Sequence, residues 1–310
     1  MKMKKQPSVH IILLNWNEEK FTSACIESLK KINYLNFKII LVDNGSKKES
    51  ILKLRKKYEK EVIFIQNKTN LGFTGGNNVG IRKALSLGAE YILLLNNDTE
   101  VEQDFLSKLV DSIEKDKSIG VIGPKINYMD KKELIWSIGG KINKFTGNNK
   151  LLMNKKLDKT SDKGIIDVGY VSGCAILVPS RIFIKIGLLD ENYFIYNEEV
   201  DFCLRVAQKL NLRSVCRLDS KIYHKVSLTN KKYSGFAEYY LTRNRPYFVK
   251  KHNSKIVYFF YLIYFFLIEV PLYTFFYLFF YGRIKPVKFF YLGIIDFFKG
   301  NMNKCKNYFG

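Results

Sequence analysis

The sequence predicts an α/β protein built on a mostly parallel central sheet flanked by helices, followed by an aromatic-rich helical tail. Three observations carry that reading. Short apolar runs alternate with helix-compatible stretches through the N-terminal third of the chain. The runs are continuously apolar rather than alternating, as strands covered on both faces must be. Several of them end in polar clusters, and in open sheets of this class ligands sit at the carboxyl ends of the strands.

Strands are expected at 9–14, 37–42, 62–66 and 91–95, and helices at 21–31, 49–60, 76–87 and 101–115. The start MKMKK followed by an apolar run imitates a secretory leader. The run is too short, however, and Asn15, Trp16 and Asn17 follow it in place of small residues, so a buried strand fits better. From about Gly120 to Asp167 the pattern loosens into short strands and polar loops. Residues 168–178 read as one strand, and 179–186 as a short helix opened by proline. Asn197 is placed to cap a helix reaching about Leu210, with Val200, Cys203, Leu204 and Ala207 on one apolar face.

The tail differs in kind, which divides the chain at about residue 250 into a main part, 1–250, and a hydrophobic segment, 251–310. Residues 256–281 carry a single charge, Glu269, and are dense in Phe and Tyr. At about 1.5 Å per residue a helix there is long enough to cross a bilayer of roughly 30 Å. Glu269 and Pro271 fall near its middle, where a charge and a helix breaker are costly. Basic residues flank both ends, Lys250, Lys251 and Lys255 before it and Arg283, Lys285 and Lys288 after it, so charge bias gives no orientation. Three readings stay open: a kinked or re-entrant membrane segment, in-plane interfacial helices, or a buried helix or dimer contact. Residues 289–298 are compatible with a further amphipathic helix at the same surface.

Composition narrows the function classes. The chain has 310 residues, of which 47% are hydrophobic, and that excludes a disordered protein. Its 51 Lys and Arg against 29 Asp and Glu give a net charge of +22. Lys, Asn, Ile, Tyr and Phe are abundant together, so compositional bias accounts for most of the lysines. No zinc-finger or RNP signature accompanies the charge, so no nucleic-acid partner is expected, whereas an anionic membrane surface is. Five cysteines with no CxxC pair argue against a disulfide framework or a zinc ribbon and for a reducing compartment.

Neither GxGxxG nor GxxxxGK[ST] occurs. The polar strand ends offer another way to hold a nucleotide. Asp43 either accepts a hydrogen bond from a base N–H or makes the turn that Asp-Asn-Gly-Ser makes anywhere. NLGFTGGNN (70–78) reads as a loop whose glycines let backbone approach a ligand, or as loop filler. Asp98, in Asn96-Asn97-Asp98, is either a ligand for a hard divalent cation that also touches phosphates, or a helix cap. Glu198, Glu199 and Asp201 at a helix start either complement the helix dipole or supply a general base. His224 is either structural or a metal or phosphate contact.

Taken together, VHIILLNWN, LVDNGS, NLGFTGGNN, LLLNNDTEV, the VSGCAILVPSRIF…YNEEVDFCLRVAQKL stretch, HKVSLT and YYLTRNRPYFVKKH resemble family 2 glycosyltransferases, in their order and over roughly residues 8–252. The nearest resemblance is to the bacterial rhamnosyltransferase-like branch. It implies a GT-A fold in 1–250, with a nucleotide-binding sheet and an acceptor-binding half behind it. By that resemblance Asp43 contacts the nucleobase, with Asn15, Asn17 and Asn44 nearby, and Gly72, Gly76 and Asn77 line the donor site. Asn96-Asn97-Asp98 stands at the DxD position, with Asn96 in place of the first Asp. Asp98 is then the expected metal ligand, Asn96 faces the ribose, and His224 approaches the metal-diphosphate. Glu199 matches the catalytic base position, where family members carry Asp, and Glu198 or Asp201 are possible substitutes.

The implied activity is inverting transfer of a sugar from a dTDP- or UDP-linked donor to a saccharide or lipid-linked saccharide. It implies Mn2+ or Mg2+ as cofactor, a place at the cytoplasmic face of the cell membrane and a role in cell-surface polysaccharide synthesis. Two rivals differ in kind. A sugar nucleotidyltransferase would want an Arg- and Gly-rich phosphate loop after the first strand, where this chain has Asn15-Trp16-Asn17. A non-catalytic membrane adaptor would have no need of Asp43, Asp98 and Glu199 at these positions.

Overall fold

The computed structural model describes residues 6–159, 162–226, 235–280, 284–302 and 304–305. The expected strands form as β1 (Val9–Asn15), β2 (Phe37–Asp43), β3 (Ile63–Gln66) and β4 (Tyr91–Asn96), separated by α1 (Glu19–Leu29), α2 (Lys48–Tyr58) and α3 (Gly72–Ser86). β1 pairs in parallel with both β2 and β4, and β2 with β3. Residues of β1 alternate between two cores. Val9, Ile11 and Leu13 pack with α1 and α4 (Phe105–Lys115), while Ile12 packs on the other face with α3. That double coverage is why the strands are apolar without alternation.

The second half of the sheet is mixed, not parallel. The expected strand at 168–178 is two strands, β10 (Ile165–Val168) and β11 (Ala175–Pro179), split by a turn through Gly173. β11 inserts antiparallel between β4 and β6 (Ile119–Tyr128). β12 (Arg213–His224) runs parallel to β6 and carries antiparallel β10 and the short β5 (Thr99–Val101). Residues 101–104 therefore do not begin the expected helix: the chain uses them to leave β5, and α4 starts at Phe105. β7 (Ile135–Ser137) pairs with β6, and the β8 (Gly140–Ile142)–β9 (Asn149–Leu151) hairpin stands apart from the large sheet. Helices α5 (Ser180–Ile186), α6 (Glu198–Leu210), α7 (Phe236–His252), α8 (Lys255–Phe280) and α9 (Ile284–Phe298) follow. On α6 the apolar face holds Val200, Cys203 and Leu204, but Ala207 is exposed.

α8 is one continuous helix, not a re-entrant pair, and it is long and apolar enough to cross a membrane. It contains two π-helical stretches, Phe265–Glu269 and Phe276–Phe280. The wider turn shifts the helix phase, so Glu269, Val270 and Tyr273 follow Phe265 on the face turned to the protein. Glu269 is paired there with Arg245 of α7. Pro271 sits in the turn just after the first π stretch, where the regular amide ladder is already interrupted. Tyr261, Phe265 and Val270 of α8 and Phe290 and Ile294 of α9 belong to the same buried cluster as Ile12, Ile40 and Phe248.

Candidate active site

Register gathers the polar strand ends. Asn15 lies opposite Asp43, and Leu14 opposite Asn96. A chain of hydrogen bonds then crosses the sheet edge. Asn97 Nδ2 donates to Thr22 Oγ1 at 2.8 Å, and Thr22 Oγ1 donates to Asn15 Oδ1 at 2.8 Å. Asn15 Nδ2 donates to Asp43 Oδ1 at 2.9 Å and to Ser46 Oγ at 3.1 Å. The Ser46 amide closes onto Asp43 Oδ2 at 3.0 Å. Three strands and the first turn of α1 are locked by this one network. Thr22 and Ser46 are as much part of it as the expected Asn15 and Asp43, and no motif marked Thr22.

On the neighbouring part of the edge, antiparallel pairing of β5 with β12 sets His224 against Thr99. Asp98 Oδ1 and His224 Nε2 are 3.1 Å apart, with only 18% and 7% of their side-chain surfaces exposed. The Trp136 ring meets the imidazole edge-on at 4.6 Å between centroids and fixes its plane. One carboxylate oxygen and one imidazole nitrogen so close together suit a small divalent cation. Among the described residues no group of three or more His, Cys, Asp or Glu forms a complete cage.

The turn into β11 connects this pair to the acidic helix start. The Asn96 amide donates to the Cys174 carbonyl at 2.8 Å, and the Cys174 thiol lies beside His224. One residue earlier, a Cβ on Gly173 would stand 3.6 Å from the Phe73 ring and 3.8 Å from the Glu199 Cβ. Gly173 thus lies beside Glu199, and its neighbour Cys174 lies beside His224, the partner of Asp98. Nothing in the sequence singled these two residues out, because their role comes from pairings across the sheet.

The approach to α6 is strained. Phe194, Tyr196 and Asn197 all have positive φ (62°, 68° and 75°), each costing of order 1–3 kcal/mol in a non-glycine residue. Buried side chains of α7 hold them. Asn244 Nδ2 donates to the carbonyls of Tyr193, Ile195 and Tyr196 at 2.8–3.0 Å, and Arg243 donates to those of Asn192 and Tyr193. Asn197 occupies the cap position, but its left-handed backbone turns the side chain away from the helix amides. Its Oδ1 accepts from Asn149 instead.

At the helix start the three carboxylates part company. Burial pushes Glu199 up to about 7, against the pull of the Glu199 and Val200 amides. Burial and the adjacent Glu199 charge push Glu198 well above the ordinary range. Two carboxyl groups so placed titrate as a pair. Asp201 goes the other way: burial opposes ionisation, but His252, Arg205 and Lys251 hold it far below the usual carboxylate range. His252 Nε2 and Lys251 Nζ both stand 2.7 Å from its Oδ1, and Arg205 Nε is 2.8 Å from its Oδ2. Asp201 is therefore corrected from substitute base to the centre of a buried ion-pair network.

Other expectations on the donor side also change. Residues 72–78 are not a loop but the first turns of α3. Gly72, at φ +74°, lies where a Cβ would fall 2.4 Å from the Phe194 carbonyl, and Gly76 where it would fall 2.4 Å from Leu14. Close packing accounts for both glycines. Asn77 is buried and donates to the Phe73 carbonyl. Asn44 has its full hydrogen-bonding capacity used: it donates to Asn70 and Gly72 and accepts from Asn67 and Leu71. It braces the segment before α3 and has nothing left for a ligand. Asn15 and Asp43 are wholly buried, whereas Asn17, Asn96 and Asn97 are half-exposed along the edge. The end of the HKVSLT motif, 227–229, lies outside the described residues.

Residues 10–174 match the Glycosyl transferase family 2 profile. The Haloferax volcanii low-salt glycan biosynthesis hexosyltransferase Agl10 is 26% identical over 239 residues, covering 76% of this chain and 73% of that protein. The Shigella flexneri dTDP-rhamnosyl transferase RfbF is 23% identical over 264 residues, covering 81% of this chain and 82% of its own, which places the resemblance in the rhamnosyltransferase-like branch. The crystal structure of GalNAc-T7 with UDP, GalNAc and Mn2+ superposes with a TM-score of 0.58 at 17% identity, over 70% of this chain and 43% of that one. The architecture is accordingly GT-A, and the chain is a glycosyltransferase that belongs to Glycosyl transferase family 2.

Proposed function

We propose that the chain is an inverting hexosyltransferase at the cytoplasmic face of the cell membrane. It would move a sugar from a dTDP- or UDP-linked donor to a saccharide or lipid-linked saccharide in cell-surface polysaccharide synthesis. The observation that carries the reading is that adjacent residues Gly173 and Cys174 lie beside Glu199 and beside the Asp98–His224 pair respectively. RfbF is described as a dTDP-rhamnosyl transferase and Agl10 as a hexosyltransferase, which supports the donor class.

Asp98 and His224 would hold a divalent cation, Mn2+ or Mg2+. When bound, the cation neutralises charge on the departing diphosphate. The chain's own residues do the rest. The half-exposed edge of Asn17, Asn96 and Asn97 receives the nucleoside, over a floor that the Asn15–Asp43 network keeps rigid. Asp43 belongs to that buried floor, where its two oxygens accept from Asn15 and from the Ser46 amide. The Glu199 carboxylate takes the proton from an acceptor hydroxyl, whose oxygen attacks the anomeric carbon from the face opposite the diphosphate. One base and no enzyme nucleophile give inversion.

The test is a screen of nucleotide sugars for hydrolysis or transfer with manganese or magnesium. Activity with a dTDP- or UDP-sugar is expected, and no turnover of any of them would reject the reading. Asp98→Ala should lose manganese-dependent nucleotide affinity by calorimetry while its fold is retained. Unchanged affinity would remove Asp98 from the metal site.

A further inference from the structure

The C-terminal helices present an apolar surface that sugar transfer does not use. α8 spans 26 residues, roughly 39 Å. One face packs on the protein: Tyr261 and Phe265 are buried, Tyr273 stacks on Phe290 at 3.9 Å, and Thr274 hydrogen-bonds Tyr291. On the opposite face Ile256, Phe260, Leu267 and Phe279 are each more than half exposed, and α9 continues it with Ile284 and Phe298. A patch of this size and apolarity on a chain of net charge +22 calls for a partner.

Beside this face a groove of about 660 Å³ opens between α7, the start of α8 and the end of α9. Its walls include Tyr258, Leu262, Phe297, Phe298 and Met302, and the exposed Lys250 lies on it. Lys251 next to it is engaged with Asp190 and Asp201, whereas Lys250 has no ion-pair partner among the described residues. Apolar walls with one convergent cation suit an amphiphile bearing a negative headgroup.

The packing decides how a membrane would meet this surface. Protein contacts on α8 run from Tyr258 to Tyr273, with Tyr277 stacked beyond. That length matches most of the hydrocarbon thickness. If α8 crossed a bilayer, it would carry α7, with Arg243, Arg245, Lys250 and Lys251, into the hydrocarbon, where such charges are not tolerated. Lying flat, it buries its aromatic stripe at the interface and leaves the charges in water. A second copy of the chain is the poorer occupant, because Lys250, Lys255 and Lys285 around the patch would face their own likes, whereas an anionic leaflet attracts them.

We infer that the α8–α9 face lies in the plane of an anionic leaflet and that the groove takes an acyl chain of a bilayer phospholipid whose phosphate meets Lys250. The inference does not depend on sugar transfer, since its test needs no turnover. Full-length protein is floated with vesicles of phosphatidylcholine alone or with phosphatidylglycerol added. Binding is expected only with phosphatidylglycerol, at least fivefold weaker in Lys250→Glu, and cell membranes should release the protein in alkaline carbonate. In Leu262→Trp, phosphatidylglycerol brominated along its acyl chains should quench the new indole beyond the wild-type background of Trp16 and Trp136. Carbonate-resistant protein would mean a crossing helix and overturn the inference. So would a dimer by light scattering that ignores vesicles, an unquenched indole in the Leu262→Trp variant when that protein floats, or release of the brominated lipid by polyprenyl phosphate alone.

Discussion

At the level of single residues the site turns on one carboxylate in two conflicting roles. Glu199 must be ionised to act as a base, and burial has raised it to about 7. Turnover under subsaturating substrate should therefore fall on the acid side of about pH 7 and level off above it. The same shift works against folding. An acid raised in the native state contributes stability that is fully present below its ordinary range near 4.5 and is lost as pH rises through about 7. Glu199→Gln should accordingly lose about 10²–10⁴ in kcat while unfolding at a higher temperature than wild type at pH 8. Near-normal transfer would take the role of base away from Glu199, and no gain in thermal midpoint would mean that burial does not raise its pKa. The sequence made Glu199, Asp98 and His224 visible because each sits at an element's end in a motif. Thr22, Gly173 and Cys174 were not visible, because what they do is set by partners brought in from other elements: Asn97 for Thr22, Glu199 and Phe73 for Gly173, Asn96 and His224 for Cys174.

At the level of elements, continuous apolar runs located β1, β2, β3 and β4, since burial on both faces leaves a direct mark in composition. β5 and the break between β10 and β11 left no such mark, being too short for a pattern to form. The start of α3 was hidden because glycines and asparagines, poor helix formers, occupy its first turns for packing reasons. Gly76→Ala tests that account. A Cβ 2.4 Å from Leu14 Cδ1 overpacks the contact between helix and sheet, and about 1–3 kcal/mol of stability should be lost in urea unfolding. Full stability with a raised donor KM would restore the view of Gly76 as a ligand-approach glycine. The strained lead-in to α6 supports a second prediction. Asn244→Ala frees the carbonyls of Tyr193, Ile195 and Tyr196, so the Glu199 carboxylate drifts from the amides that lower its pKa. The acid limb of the pH profile should move to higher pH and kcat should drop roughly tenfold, with donor affinity unchanged. A loss of stability with an unmoved pH limb would leave Asn244 a purely structural residue.

At the level of the whole molecule, the composition break near residue 250 suggests a catalytic part with a detachable tail, but the packing does not follow that break. Tyr261, Phe265, Val270, Phe290 and Ile294 close over the face of the sheet that α3 and α6 also cover, in one cluster with Ile12, Val200 and Phe248. Hydropathy could show that the tail is apolar. It could not show which half of each helix turns inward, because the two π stretches of α8 break the period on which such a reading rests. Removing residues 256–310 uncovers several large side chains whose burial is worth about 1.5–3 kcal/mol each, against a total of roughly 5–15 kcal/mol for a typical domain. It also leaves Arg245 without Glu269, and an uncompensated, largely buried charge adds to the loss. A fragment ending at residue 255 should therefore be insoluble or should unfold well below the full chain, and detergent or lipid should not rescue it, since the missing surface is core. The measurement is soluble yield and thermal unfolding of the fragment beside Lys250→Glu, which alters the surface and spares that core. A cooperative transition in the fragment at the full-length midpoint would show that the tail is an appendage after all.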